Sequence, residues 1–202
     1  MTFPIHSVHT EGVPTGQVHI APATPEQLAA QFFQQSAGHW RSERRYYTLQ
    51  SGEVQEVVSL LTVDYLRPGC PELVALAQRH GLDDAQVFVC GARATWSSHD
   101  QTSQSRLSRG STVFGVRGSM LFRDRGFATP KPVTADYFFR DAKTLCLRTE
   151  YNDSSFEEEL KLIGTAYRTR QTIISRAGAE MMIGQYLETR LDESALGSES
   201  GR

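Results

Sequence analysis

An all-β fold is expected of this chain: an antiparallel up-and-down β-barrel of about ten strands, with an N-terminal helix and a second short helix. Three observations carry it. Extended runs recur at 39–49, 54–65, 87–98, 110–117, 119–124, 133–140, 143–151, 155–163, 166–175 and 179–190. Tight-turn signals punctuate them, among them SGE at 51, RG at 117, TPKP at 129, RDAK at 140, NDSS at 152 and RAG at 176, as in a meander of hairpins. A meander of that size has two long unpaired edges, and closure into a barrel removes both. An open sandwich is the competing arrangement.

The helices have local causes. Thr24 is an N-cap, Pro25 stands at the first helical position and Gln27 at capping-box spacing, which starts a helix. Leu28, Phe32 and Phe33 give it an apolar stripe, and Gly38 stops it, so it is placed to cap one end of the barrel. A shorter helix follows over 71–81, opened by Pro71 and closed by Gly81. The expected organisation is a loose arm over 1–23, one barrel domain over 24–191 and a polar tail over 192–202.

Composition narrows the function. The 202 residues are 39% hydrophobic and 22% charged, with a formal net charge of −2. No global basic field therefore draws the chain to nucleic acid or anionic lipid. No apolar stretch approaches the roughly 20 residues of a membrane helix. Cys70, Cys90 and Cys146 are odd in number and lack metal or redox spacing, which suits a reducing, cytoplasmic setting. The N-terminus has neither the basic start nor the apolar block of a secretory signal. No GxSxG, HExxH, GxGxxG or Walker A pattern occurs. His6, His9 and His19 are weakly spaced for a metal, and His39, His80 and His99 have no matching partner.

The chemistry-bearing residues stand out through strand parity, since alternate side chains share a face. In GHWRSERRYY, Trp40, Ser42, Arg44 and Tyr46 fall together. In CGARATW, Cys90, Ala92, Ala94 and Trp96 oppose Gly91, Arg93 and Thr95. Phe156, Glu158, Leu160 and Leu162 form one row of the next motif, and Arg168, Arg170 and Thr172 form another. On a wet face these are ordinary surface charges in weak cross-strand pairs. Turned into a barrel, they make a poor fatty-acid tunnel but a good pocket for a flat, conjugated dianion. Arginine forks pair with carboxylates, a tryptophan stacks on a π system, and a glutamate accepts N–H bonds.

The order GxWxSxR at 38–44, CGARxTW at 90–96, GSTV at 110–113, TEY at 149–151, then a Glu-rich strand and RxR at 168–170, resembles the S-type phycobiliprotein lyases, the CpcS/CpeS family. The match runs from the first helix to about residue 190. The resemblance implies a lipocalin-like barrel of the fatty-acid-binding type. It implies a lyase that binds a linear tetrapyrrole, phycocyanobilin or a related bilin, as substrate and joins it by a thioether to a cysteine of an apo-phycobiliprotein. No permanently bound cofactor is implied. Carried over motif by motif, Glu158, Arg168 and Arg170 are the catalytic candidates, and Arg44, Arg93, Trp96 and Thr172 bind substrate, with Ser111 next in line. Thr172 stands where the family typically has Ser, and Leu160-Lys161-Leu162 replaces an aromatic. The implied partners are phycocyanin β and allophycocyanin subunits, in a cyanobacterial cytoplasm or plastid stroma. Whether the chain acts alone, as a homodimer or with a paralogous subunit stays open. The alternative is a lipocalin-like carrier of a bilin or another hydrophobic acid.

Overall fold

The computed structural model describes residues 22–84, 87–100 and 106–192. Apart from residues 22, 23 and 192, the expected arm and tail lie outside these, as do His6, His9 and His19. Helix α1 (Pro25–Ser36) leads into β1 (Gly38–Thr48) and β2 (Val54–Leu66), and α2 (Pro71–Arg79) follows. Eight further strands complete the chain: β3 (Cys90–Asp100), β4 (Arg106–Arg117), β5 (Met120–Arg123), β6 (Val133–Asp141), β7 (Thr144–Tyr151), β8 (Ser154–Ile163), β9 (Tyr167–Arg176) and β10 (Ala179–Leu191). Each pairs antiparallel with its neighbour in sequence, and β10 returns to pair with β1, so the sheet is a closed barrel. At that seam Trp40 faces Arg190 and Arg44 faces Tyr186.

Local sequence explains the turns and caps. Thr24 and Gln27 form the expected capping box, each side chain accepting from the other's backbone N–H at 3.2 and 2.9 Å. Asn152 and Asp153 both have positive φ, 49° and 56°, in the two-residue hairpin joining β7 to β8; Asn and Asp are among the residues that accept this conformation. Strand β3 begins three residues later than expected. Phe88 instead turns outward to pack with Leu66, Leu73, Leu76 and Ala77, which holds α2 on the barrel's outer wall. Strand β4 begins four residues earlier than expected, because pairing with β3 continues past Gly110 across a bulge at Ser98 and His99.

Helix α1 closes one end. Ala29, Phe32 and Phe33 are buried with Trp40, Leu61, Val63 and Ala92. The helix's last carbonyls are satisfied from the barrel: Arg190 donates to Gln35 O and Ala37 O, both at 2.6 Å, and Trp40 Nε1 donates to Ser36 O at 2.9 Å. A cation at a helix C-terminus also suits the helix dipole. Strand β9 starts at this closed end, so Arg168, Arg170, Thr172 and Ile174 form a ladder rising toward the opposite mouth. The loop 124–132 and the β7–β8 turn lie at the mouth. No helix among the described residues is long and apolar enough to cross a membrane.

Candidate functional site

The barrel encloses a cavity of about 610 Å3, within the roughly 300–1,000 Å3 of pockets that enclose drug-sized ligands. Phe32 and Phe33 of α1 form its floor. Leu61, Ala94, Leu145, Leu147 and Leu160 supply apolar wall, and Arg125 to Pro130 contribute from the loop. Into this largely apolar space project charged side chains from five strands.

They form two tiers. Near the floor, Arg168 Nε donates to Glu188 Oε2, with side chains only 7% and 1% exposed. Ser42 donates to the other oxygen of Glu188 at 3.2 Å, and the Arg168 guanidinium carbon lies 4.9 Å from the Trp40 ring centre. Higher up, Glu158 accepts from both Arg170 and Arg123, the latter at 3.3 Å. Arg44 donates to Ser42 at 3.2 Å and has no carboxylate partner among the described residues. Tyr186 carries two guanidiniums on its ring, Arg44 at 5.4 Å and Arg170 at 5.1 Å from its centre.

Four inward arginines, Arg44, Arg123, Arg168 and Arg170, therefore face two carboxylates, Glu158 and Glu188. Arg125, at the cavity's edge, is half exposed and lies 3.8 Å from Asp124. The electrostatics follow from sheltering. Burial lowers the pKa of Arg123 despite the opposing pull of Glu158. For Arg170 burial acts in the same downward direction, but Glu158, Tyr186 and Glu188 outweigh it and raise the pKa. The phenol of Tyr186 is pushed up to about 12, mainly by burial. A guanidinium keeps its proton in proteins, so both arginines are cations in a poorly solvated space, where an anion is bound more strongly than in water.

Of the residues singled out from sequence, Arg44, Trp96, Glu158, Arg168, Arg170 and Thr172 all line this cavity. Arg93 does not. It points outward from β3 and donates to Asp64 at 2.9–3.0 Å and to Glu72 at 3.1 Å, tying the start of α2 to the barrel's outer wall. The reason is parity: the row of Ala92, Ala94 and Trp96 faces in, so Arg93 faces out. Ser111 is likewise absent from the lining, where its neighbour Thr112 appears. Sequence reasoning missed Arg123, Glu188, Tyr186 and Phe127. Parity from Gly184 through Tyr186 to Glu188 was a usable signal for two of them. Arg123 ends a four-residue strand and Phe127 lies in a loop, where no period can be read.

Fold and site together define an antiparallel ligand-binding barrel whose interior suits an amphipathic, doubly anionic molecule. The chain belongs to the CpeS-like protein family, whose model matches residues 29–191. It is 58% identical over 166 residues to CpcS 2 of Nostoc sp., a candidate phycocyanobilin lyase by its name, covering 82% of this chain and 92% of that protein. It is 33% identical over 167 residues to the chromophore lyase CpcS/CpeS of Thermosynechococcus vestitus, covering 79% and 91%. Among solved structures, the S-type phycobiliprotein lyase CpeS of Guillardia theta superposes with a TM-score of 0.69 at 19% identity, over 85% of this chain and 99% of that one; this likeness concerns the fold.

Proposed function

We propose that this protein is a phycobiliprotein chromophore lyase, binding phycocyanobilin or a related bilin and attaching it by a thioether to a cysteine of an apo-phycobiliprotein subunit. One observation carries the substrate class: the cavity's four guanidiniums exceed its two carboxylates by two charges. A bilin brings two propionates to balance them, a flat conjugated chain for the apolar wall, and pyrrole N–H groups for an acceptor. Arg170 and Arg44 hold the propionates, and Arg168 anchors the floor. Glu158, already accepting from two arginines, acts as an acceptor that orients the tetrapyrrole rather than as a proton source. Trp96 stacks on a ring, and Thr172 offers a hydroxyl toward the mouth.

The covalent step needs little from the chain beyond placement. The acceptor's thiol adds across the exocyclic double bond of bilin ring A: sulfur bonds the outer carbon, the proton goes to the ring carbon, and nothing is oxidised or reduced. None of the chain's own cysteines, Cys70, Cys90 and Cys146, lines the cavity. Burial pushes the Cys90 thiol up to about 12 and raises that of Cys146. Holding the bilin in one shape with ring A toward the mouth converts a two-body encounter into a positioned one. The bilin is here a substrate, and phycocyanin β and allophycocyanin subunits are the acceptors of this reading, in cytoplasm or plastid stroma.

The test is transfer. The protein, phycocyanobilin and an apo-phycobiliprotein β subunit are incubated together, then denatured and scored for zinc-enhanced bilin fluorescence on the acceptor. A covalent adduct at one cysteine, formed faster than without the protein, is the expected result. A bilin spectrum that changes on binding, with no acceleration of transfer, would reduce the protein to a carrier.

A further inference from the structure

Arg123 has a feature that the chemistry above leaves unused. Its side chain, 7% exposed, ends β5 and reaches Glu158 through one terminal nitrogen. Its Nε–H is buried with no acceptor among the described residues, and the same holds for Arg170 Nε. Glu188 serves Arg168 alone among the arginines it contacts, whereas Glu158 is divided between Arg123 and Arg170. The upper tier therefore carries one uncompensated positive charge, and the other cavity excess belongs to Arg44. Unmatched buried charge is costly unless an anion balances it.

The surroundings of Arg123 are shaped for a flat ligand. Its guanidinium carbon lies 5.0 Å from the Phe114 ring centre and 4.5 Å from that of Phe127. Phe127 is 37% exposed and stacks on Phe156 at 4.8 Å and 15°. Its loop is pinned to the β7 end by Ala128 N–H donating to Tyr151 Oη at 2.9 Å. One aromatic ring thus covers the guanidinium and also lines the cavity.

We propose that Arg123 is a carboxylate-binding residue of the cavity, holding one anionic arm of the ligand together with Arg170 while Phe127 packs against the ligand's π system and Arg44 receives the second arm. The identity of the ligand rests on the tetrapyrrole reading above; the anion site does not. The structure thus adds an anchor on β5 that no motif of the sequence marked.

The experiment titrates wild type, Arg123→Met and Arg123→Lys with phycocyanobilin as its free diacid and as its dimethyl ester. A parallel titration uses 1-anilinonaphthalene-8-sulfonate, a planar anion that needs no tetrapyrrole specificity. Arg123→Met is expected to weaken diacid binding about tenfold or more, the scale of a lost charge-assisted pair, and to weaken the sulfonate probe, while diester binding stays within about twofold. Arg123→Lys keeps a charge without the fork and should fall between them, retaining preference for the diacid; it also carries the test if the Met variant does not fold. Equal loss for diacid and diester, or no loss for either, overturns the assignment. A wild type that binds the sulfonate but ignores phycocyanobilin defeats the tetrapyrrole reading instead, and the sulfonate titration still decides for or against Arg123.

Discussion

Arg168 and Glu188 show how a single residue's role depends on its partner. Both are buried, and each satisfies the other, with Trp40 stacked between Arg168 and Arg190 at 4.9 and 4.2 Å. Removing one member leaves an unpaired charge in the floor, so Arg168→Met or Glu188→Leu should each cost about 3–5 kcal/mol. The double substitution, which leaves no charge unmatched, should recover most of that loss. Urea unfolding of the three variants checks this, and a double variant as unstable as the two singles combined would show that the pair is not coupled. Loss of bilin binding in an Arg168 variant must therefore be read beside its stability, unlike loss in an Arg44 variant. The inward direction of Arg168, Arg170 and Thr172 was legible from parity alone. Their partners were not: Glu188 lies opposite Arg168 on the adjacent strand, in a register that an irregularity between Glu180 and Met182 shifts, while Arg123 on β5 is 35 residues from Glu158 on β8, and that cross-barrel proximity leaves no mark on local pattern.

At the scale of elements, the hairpin of β3 and β4 explains the glycine that opens the GSTV motif. Trp96 lies directly opposite Gly110 in register, and a Cβ on Gly110 would fall 2.6 Å from the indole. Glycine there is a matter of room, since it lets the ring lie against the neighbouring strand while facing the cavity. Gly110→Ala should displace Trp96 at an overpacking cost of about 1–3 kcal/mol and reduce quenching of its fluorescence by bound phycocyanobilin. Unchanged fluorescence and unchanged affinity would show that the ring does not depend on that space. The strand count, the capped first helix and the antiparallel order were readable because turn chemistry and alternation are local. The start of β3 differs because Phe88 serves the α2 packing, a tertiary contact that overrides extended propensity, and the start of β4 differs because its pairing with β3 continues past Gly110. Loop 124–132 was unreadable as part of the site, because a loop's path is set by contacts such as Tyr151 with Ala128 rather than by periodicity.

The whole molecule is held by long-range closure. Closure of ten strands removes both sheet edges at the β1–β10 seam, but only the register shows that this seam brings Arg44 beside Tyr186 and Ser42 beside Glu188. The site is thus built across the last pairing that completes the barrel, from β1, β5, β8, β9 and β10. A ligand bound inside bridges strands from both ends of the chain and has no comparable partner in the unfolded state. Binding should then stabilise the fold by about 2.7 kcal/mol at a ligand concentration of 100 Kd. For a chain of this length that corresponds to a rise in Tm of about 5–10 °C, measured by far-ultraviolet circular dichroism with phycocyanobilin at increasing ratios to its Kd. The rise should grow with the logarithm of ligand concentration above Kd. A Tm that does not move while the visible spectrum reports saturation would show that the bilin binds the unfolded chain as tightly as the fold, so that its affinity does not depend on the closed barrel.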